Sequence, residues 1–324
     1  MSWHNPDDLG LEIISFIHQS LKVEPEWSMD AGDRGFTWWA GELAQHVWSE
    51  ESNFYNSTAT FKIHAETDLV SGQGRAGRLE LPLMSAMRNT SLCGVVYESE
   101  KDVYRLHSSA YLHGDNVDVM KRVMSAATVL QLDEAMVLSH QAAQSLKAIP
   151  AMSEHPAHGF RKQLSPMAHA AQLFFRPHGQ TPSKWIGQPE WKQTEWAMER
   201  EAQSFRSDHH AELNATYYWP GEGDAVLHVS ALCPHPVLGS GLLVKLVLPV
   251  KLGQEACAHK AVELNARERS EWMRSHFLGS WCFDKECLEF ECFVPNTSYN
   301  PDLLLTLVTS MSIRAQWCAE TFEG

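Results

Sequence analysis

Gly35-Phe36-Thr37-Trp38-Trp39 and, in the second half of the chain, Asn214-Ala215-Thr216-Tyr217-Tyr218-Trp219 head two matching successions of segments. Both are short and rich in aromatic and β-branched residues, the composition of a strand. After the first come Thr58-Ala59-Thr60-Phe61-Lys62-Ile63-His64 and Leu79-Glu80-Leu81-Pro82-Leu83. A helical stretch follows, then Gly94-Val95-Val96-Tyr97 and Val103-Tyr104-Arg105-Leu106-His107. After the second come Ala225-Val226-Leu227-His228-Val229 and Leu246-Val247-Leu248-Pro249-Val250, then a longer helix from about Glu255 to Met273. Gly279-Ser280-Trp281-Cys282-Phe283 and Leu288-Glu289-Phe290-Glu291-Cys292-Phe293 complete it. Leu81-Pro82 reads as the counterpart of Leu248-Pro249.

Helices flank both successions. Asn5-Pro6-Asp7 supplies a cap, a proline for the first turn and an acid near the positive helix end. Leu9, Ile13, Phe16, Ile17 and Leu21 then share one helical face. Trp191 to Phe205 is helical by propensity and opens the second half. Asp115-Asn116-Val117-Asp118 and Asn300-Pro301-Asp302 open the closing helices. The unit predicted is α-β-β-β-α-β-β-α, present twice: an α+β tandem duplication, antiparallel sheets with helices packed on one face, forming a pseudo-dimer. Strands that follow one another in hairpins exclude a doubly wound sheet.

A chain of 324 residues with 44% hydrophobic content suits two cores. Net charge divides it further: −9 over 1–150, +3 over 151–189 and −8 over 190–324. The middle stretch holds Pro156, Pro166, Pro177, Pro182 and Pro189, which forbid a long helix or a central strand. The expected domains are therefore a repeat over 1–150, a proline-rich basic connector over 151–189 and a repeat over 190–324. Phe160, Leu173, Phe174, Phe175, Trp185 and Ile186 make the connector too apolar for a free linker, so it is expected to lie along the repeats. An overall charge of −14 opposes phosphate backbones and excludes a general nucleic-acid binder. No apolar run reaches the ~20 residues of a membrane span. Met1 to Asp8 has no basic-then-apolar pattern, and the seven cysteines form no framework spacing. A cytoplasmic location with reduced thiols is expected.

Neighbours on a strand point to opposite faces, so Trp38 and Trp39 serve two surfaces. Tyr217 and Trp219 share one face, with Tyr218 on the other. If helices cover one side of each sheet, the second side still carries large aromatics that water does not favour. The other repeat, the connector or a partner must cover it. Trp38, Trp39, Trp48, Tyr217 and Trp219 are thus the candidate partner-binding residues.

The element order, the acidic charge, the apolar last helix and the patterns Gly35-to-Trp39 and Leu79-to-Leu83 resemble the bacterial type III secretion chaperone-like fold, including its YbjN-like relatives. That resemblance implies single domains that dimerise, and chaperones that hold extended segments of client proteins. Two units in one chain imply a built-in pseudo-dimer, a monomer or weak homodimer.

The residue patterns of catalysis are absent. His155, His158, His169, His178, the pair His209-His210 and Cys233-Pro234-His235-Pro236 lack the spacing that sets two donors on one metal. No metal, cofactor or catalytic residue is expected. Ser71-Gly72-Gln73-Gly74-Arg75-Ala76-Gly77-Arg78 has the glycines and arginines of an anion cradle, yet reads as a hairpin loop between two strands. Its counterpart would be Leu238-Gly239-Ser240-Gly241. Glu289 and Glu291 share a strand face and read as exposed. With a turn at Asp284-Lys285, Cys282 falls opposite Cys287 as a redox pair accessible to thiol reagents, and Cys292 falls in the core. Two functions follow. The first is a non-enzymatic protein-binding or chaperone-like module; the alternative is a small-ligand-binding protein or enzyme with its site at the junction of the repeats.

Overall fold

A computed structural model describes residues 8–55, 58–72, 76–174, 181–271 and 275–323. In chain order the elements are α1 (Leu9–Ser20), β1 (Ser28–Asp30), β2 (Gly35–Trp39), β3 (Ala44–Ser49), β4 (Asn53–Tyr55), β5 (Thr58–Ser71), α2 (Ala76–Ala86), β6 (Gly94–Glu98), β7 (Val103–Leu112) and α3 (Val117–Leu146). They continue with β8 (Ile149–Pro150), α4 (Pro166–Phe174), α5 (Glu190–Glu201), β9 (Ser204–Ser207), β10 (Glu212–Tyr217), β11 (Ala225–Ser230) and β12 (Gly241–Lys251). The last are α6 (Gln254–Ser270), β13 (Ser280–Asp284), β14 (Cys287–Pro295) and α7 (Leu303–Glu323). The fold is α+β, built on two antiparallel sheets.

Two compact units form, Met1–Leu79 with Cys93–Phe174 and Glu80–Leu92 with Phe175–Gly324. These bounds differ from the expected ones in two respects. There is no separate connector, because 151–174 belongs to the first unit and 175–189 to the second. Residues 80–92, from the first half of the sequence, belong to the second unit. There Arg88 binds Asp284 at 3.0 Å, and the Ser91 carbonyl accepts from Phe293 N at 3.0 Å.

The first sheet runs β1-β2-β3-β5-β7-β6, with β4 and β8 also on β5; the second runs β9-β10-β11-β12-β14-β13. Two expected strands change place. Leu79–Leu83 lies in α2, where Leu79, Leu83, Met84 and Met87 are buried at helical spacing. Its apparent alternation is the coincidence of Glu80 and Pro82 falling between leucines. Leu248-Pro249 remains in β12, so the two Leu-Pro pairs are not counterparts. The missing strand is β3, which the sequence pattern marked only through Trp48. Ser71 ends β5 and Ala76 begins α2, so the glycine-rich stretch links a strand to a helix rather than two strands. Gln73 to Arg75 and the Arg78 side chain lie outside the described residues, as does the expected Asn5-Pro6-Asp7 cap. Asp8 caps α1 through Leu11 N and binds Arg34. Helix α5 stops at Glu201, and Phe205 sits in the edge strand β9.

In the first unit, α3 packs across β5 and β7. Gln45 and Gln131, both without solvent exposure, tie helix to sheet. Gln45 accepts from Trp38 Nε1 at 2.8 Å and donates to the Thr128 carbonyl at 2.9 Å. Gln131 accepts from Thr67 Oγ1 at 2.8 Å and donates to the Ala65 carbonyl at 3.2 Å. In the second unit, α6 and α7 meet through Arg314 and Glu268, also buried. The pair is bidentate, with both contacts 2.7 Å. Trp281 Nε1 donates to Glu268, and the Arg314 guanidinium lies 3.6 Å from the Phe290 ring centroid. Among the described residues no helix is long and apolar enough to cross a membrane.

Removing one member of a buried ion pair strands the other charge. Arg314→Met is expected to destabilise the second unit by about 3–5 kcal/mol in urea unfolding, and Arg314→Met with Glu268→Gln to recover much of that. A double variant as unstable as the sum of the single ones would show that the pair is not the cause.

Candidate functional site

The aromatic residues expected to hold a partner are built into their own units. Trp38 is fully buried against Gln45. Trp39, on the opposite face, is covered by the segment after β8: its Nε1 donates to Ser153 Oγ at 3.2 Å, and His155 packs edge-on at 4.7 Å. Half-buried Trp48 stacks on His64 at 4.6 Å. Tyr217 binds Ser312 at 2.8 Å, burial raising its hydroxyl to about 12, and Trp219 packs on Phe322. The open aromatic face inferred from these five residues is therefore not present in them.

The cysteine pair is also not assembled. The β13–β14 register sets Asp284 opposite Cys287 and Cys282 opposite Glu289, with the turn at Lys285-Glu286, one residue later than expected. Lys285 takes φ 57° there. Cys282 is buried, and burial, with Glu289 and Glu291, pushes its thiol well above the ordinary value. Cys287 is half-exposed, and Cys292 lies in the core. Glu289 is buried too, corrected from the exposed placement, and is paired with Lys245 and Arg88.

Polar groups gather on the sheet faces away from α3 and α7. In the first sheet Arg105 binds Asp68 at 2.7 Å, Glu66 at 3.3 Å and Glu98, while His107 binds Glu66 at 3.0 Å. His46 binds Thr37 at 2.8 Å, and His64 binds Glu50 at 2.7 Å. In the second, His228 binds Asn214 at 2.8 Å, and Lys245 binds Glu289 and Glu291. Burial raises Glu291 to about 7 against the pull of Lys245. Charges matched so fully build structure, and an open groove of about 610 Å³ beside the β13–β14 turn has its Lys245 and Glu289 already engaged with each other.

Several of the histidines weighed as metal ligands are engaged within the fold. His155-Pro156-Ala157-His158-Gly159 and His235-Pro236-Val237-Leu238-Gly239 form the same turn, with Gly159 at φ 69° and Gly239 at φ 74°. In each, the first histidine's Nδ1 accepts a backbone N–H two residues on, at 3.2 Å. His235 donates through Nε2 to the Asn89 carbonyl, and burial lowers it to about 4, so it is neutral. His209 pairs with Glu195. His178 lies outside the described residues. Among the described residues no three metal-ligating side chains converge.

One cavity has a buried acid in its lining. In the first unit a cavity of about 580 Å³ lies among the second half of α3, α4, the β2–β3 turn and residues 150–164. Asp133, Met136, Val137, His140, Gln141 and Gln144 recur at three- and four-residue spacing and bring one face of α3 to it. Leu43, Pro150 and Leu164 extend its apolar wall, and Glu42, Arg161, Lys162 and Gln172 rim it. Arg161 is occupied, donating to the Trp39 carbonyl at 2.7 Å and pairing with Glu24 at 2.5 Å. Asp133 is 4% exposed, and among the described residues no hydrogen bond or ion pair reaches its carboxylate. Burial alone raises it to about 6. The sequence signal was available: two adjacent acids, Asp133 and Glu134, inside the mainly apolar run from Met124 to Leu138.

No family model matches the chain, and no curated protein or solved structure is significantly similar to it.

Two measurements check this geometry. A thiol reagent on the native protein is expected to label Cys233 and Cys287 rapidly and the buried cysteines slowly; rapid labelling of Cys282 would contradict the register. A carboxyl at about 6 when folded and near 3.8 when unfolded holds its proton more tightly in the folded state. Its burial therefore costs stability fully above pH 6 and not below about 4. Asp133→Asn is expected to add about 2–3 kcal/mol at pH 8, a gain that fades between pH 6 and 4 in urea titrations. No gain at pH 8 would show that Asp133 is solvated, and a loss there would show that it is paired.

Proposed function

We propose that this chain is a small-ligand-binding protein whose site is the α3–α4 cavity of the first unit. The observation that carries the reading is Asp133, a buried carboxylate without a partner among the described residues, lining a cavity whose volume falls in the ordinary range of ligand sites. Folding leaves such a group unsatisfied at a cost, and a bound ligand removes that cost. The site differs from the junction between repeats anticipated from sequence. Among the described residues of the lining no nucleophile is hydrogen-bonded to a base, which favours binding over chemistry.

The matching strand orders support a duplicated α-β-β-β-α-β-β-α unit. So does a shared cross-strand row, Thr37-His46-Glu66-His107 in the first sheet and Asn214-His228-Lys245-Glu291 in the second. This element order is also the support for a type III chaperone-like, client-binding reading. One observation favours that second reading, the exposure of Tyr218 (61%) and Val226 (38%) on one face at the end of the β10–β11 hairpin.

A thermal-shift screen of the full chain against small amines, carboxylates and neutral amphiphiles tests the main reading. Hits at a hundredfold their Kd are expected to add about 2.7 kcal/mol of stability, a rise of several degrees in Tm. Gln144→Trp, at an exposed rim position, is expected to abolish the shift without unfolding the protein. Hits that survive Gln144→Trp and are lost in Tyr218→Ala would move the site to the second unit.

A further inference from the structure

Given that cavity, the chemistry of its lining specifies what fits. We infer that the cavity takes a primary alkylammonium group, its cationic head on the Asp133 carboxylate and its chain on Leu43, Met136, Val137 and Leu164. This rests on the ligand-binding reading and names the class.

Three observations carry it. Asp133 is a buried acid of the cavity lining: 4% exposed and without a partner among the described residues. A carboxylate so placed accepts hydrogen bonds only, so its complement is a donor, and a charged donor gives the strongest match. The other charges facing the cavity do not supply it. Arg161 is held by the Trp39 and Gln163 carbonyls and by Glu24, and Lys162 lies at the exposed rim. His140 is exposed and engages the Met136 carbonyl through Nδ1, and Glu42 is exposed and anionic. The walls, finally, are mainly apolar, so a ligand that is all charge would leave them wet.

An anion is disfavoured by the same inventory. It would place a second negative charge beside Asp133, with only rim Lys162 to oppose it. The charged or titratable groups that line the cavity with Asp133 are thus Glu42, His140, Arg161 and Lys162, from the β2–β3 turn, α3 and the segment before α4. With Asp133 at about 6, the charged form is nearly complete at pH 7.5 and about a tenth at pH 5.

The test is calorimetric titration of the full chain with n-hexylamine, 1-hexanol, hexanoate and Nα-acetyl-lysine methylamide at pH 7.5. Hexylamine is expected to bind at least tenfold more tightly than hexanol or hexanoate. Asp133→Asn, expected to be the more stable protein at this pH, should abolish that preference and leave hexanol unchanged. Between pH 7.5 and 5 the hexylamine affinity is expected to fall about tenfold in the native protein and not in Asp133→Asn. Tighter binding of the blocked lysine than of hexylamine would assign the ammonium to a lysine side chain of a peptide. Preferential binding of hexanoate or hexanol that Gln144→Trp removes would overturn the amine class and leave the cavity a ligand site. Binding of none of the four, with no hit in the wider screen, would overturn both.

Discussion

Buried amides fix the first unit. Gln45 and Gln131 have no exposed surface, and each unsatisfied donor or acceptor there would cost about 1–3 kcal/mol. They are satisfied only when α3 stands at one height over the sheet, with Thr128 above Gln45 and Gln131 above Ala65 and Thr67. Sliding α3 by one turn would orphan the whole set. That constraint places Asp133 as well. Two residues beyond Gln131 is about 200° around the helix, so Asp133 must turn away from the sheet. It is nevertheless buried, because α4 and residues 150–164 cover that side.

The second unit meets the same need with charge. Arg314 and Glu268 lie without solvent between α6, α7 and the sheet, and Trp281, the His276 carbonyl and the Phe290 ring complete their surroundings. A buried pair of this kind gives little net stability but penalises every arrangement that separates it. The charged sheet faces follow the same rule: Arg105 answers Glu66, Asp68 and Glu98, and Lys245 answers Glu289 and Glu291. Asp133 differs from these groups in having no hydrogen bond or ion pair among the described residues.

Two departures from the sequence pattern have local causes. Leu79, Leu81 and Leu83 alternate as a strand would, but Leu79 and Leu83 are also one helical turn apart, and Met84 and Met87 continue that face. A five-residue window holds both periods, and only packing chose between them. The β13–β14 turn moved by one residue because Lys285 adopts the left-handed conformation and the strands pair Asp284 with Cys287. Moving the turn by one residue moves each cross-strand partner by two, so Cys282 faces Glu289 and not Cys287.

The sequence by itself determined the class of the fold, the order of most elements and the apolar character of the helices, because these follow from local periodicity, caps and turn formers. It also showed that residues 151–189 were too apolar to be free. It did not determine that residues 80–92 would join the second unit, that Trp39 would lie under Ser153 and His155, or that Asp133 would be buried with no partner among the described residues. Each of these joins groups remote in the chain. An acid in an apolar run reads the same whether a helix later covers it or water does. Only tertiary packing decides which, and with it whether the carboxylate is a solvated surface charge or a buried one.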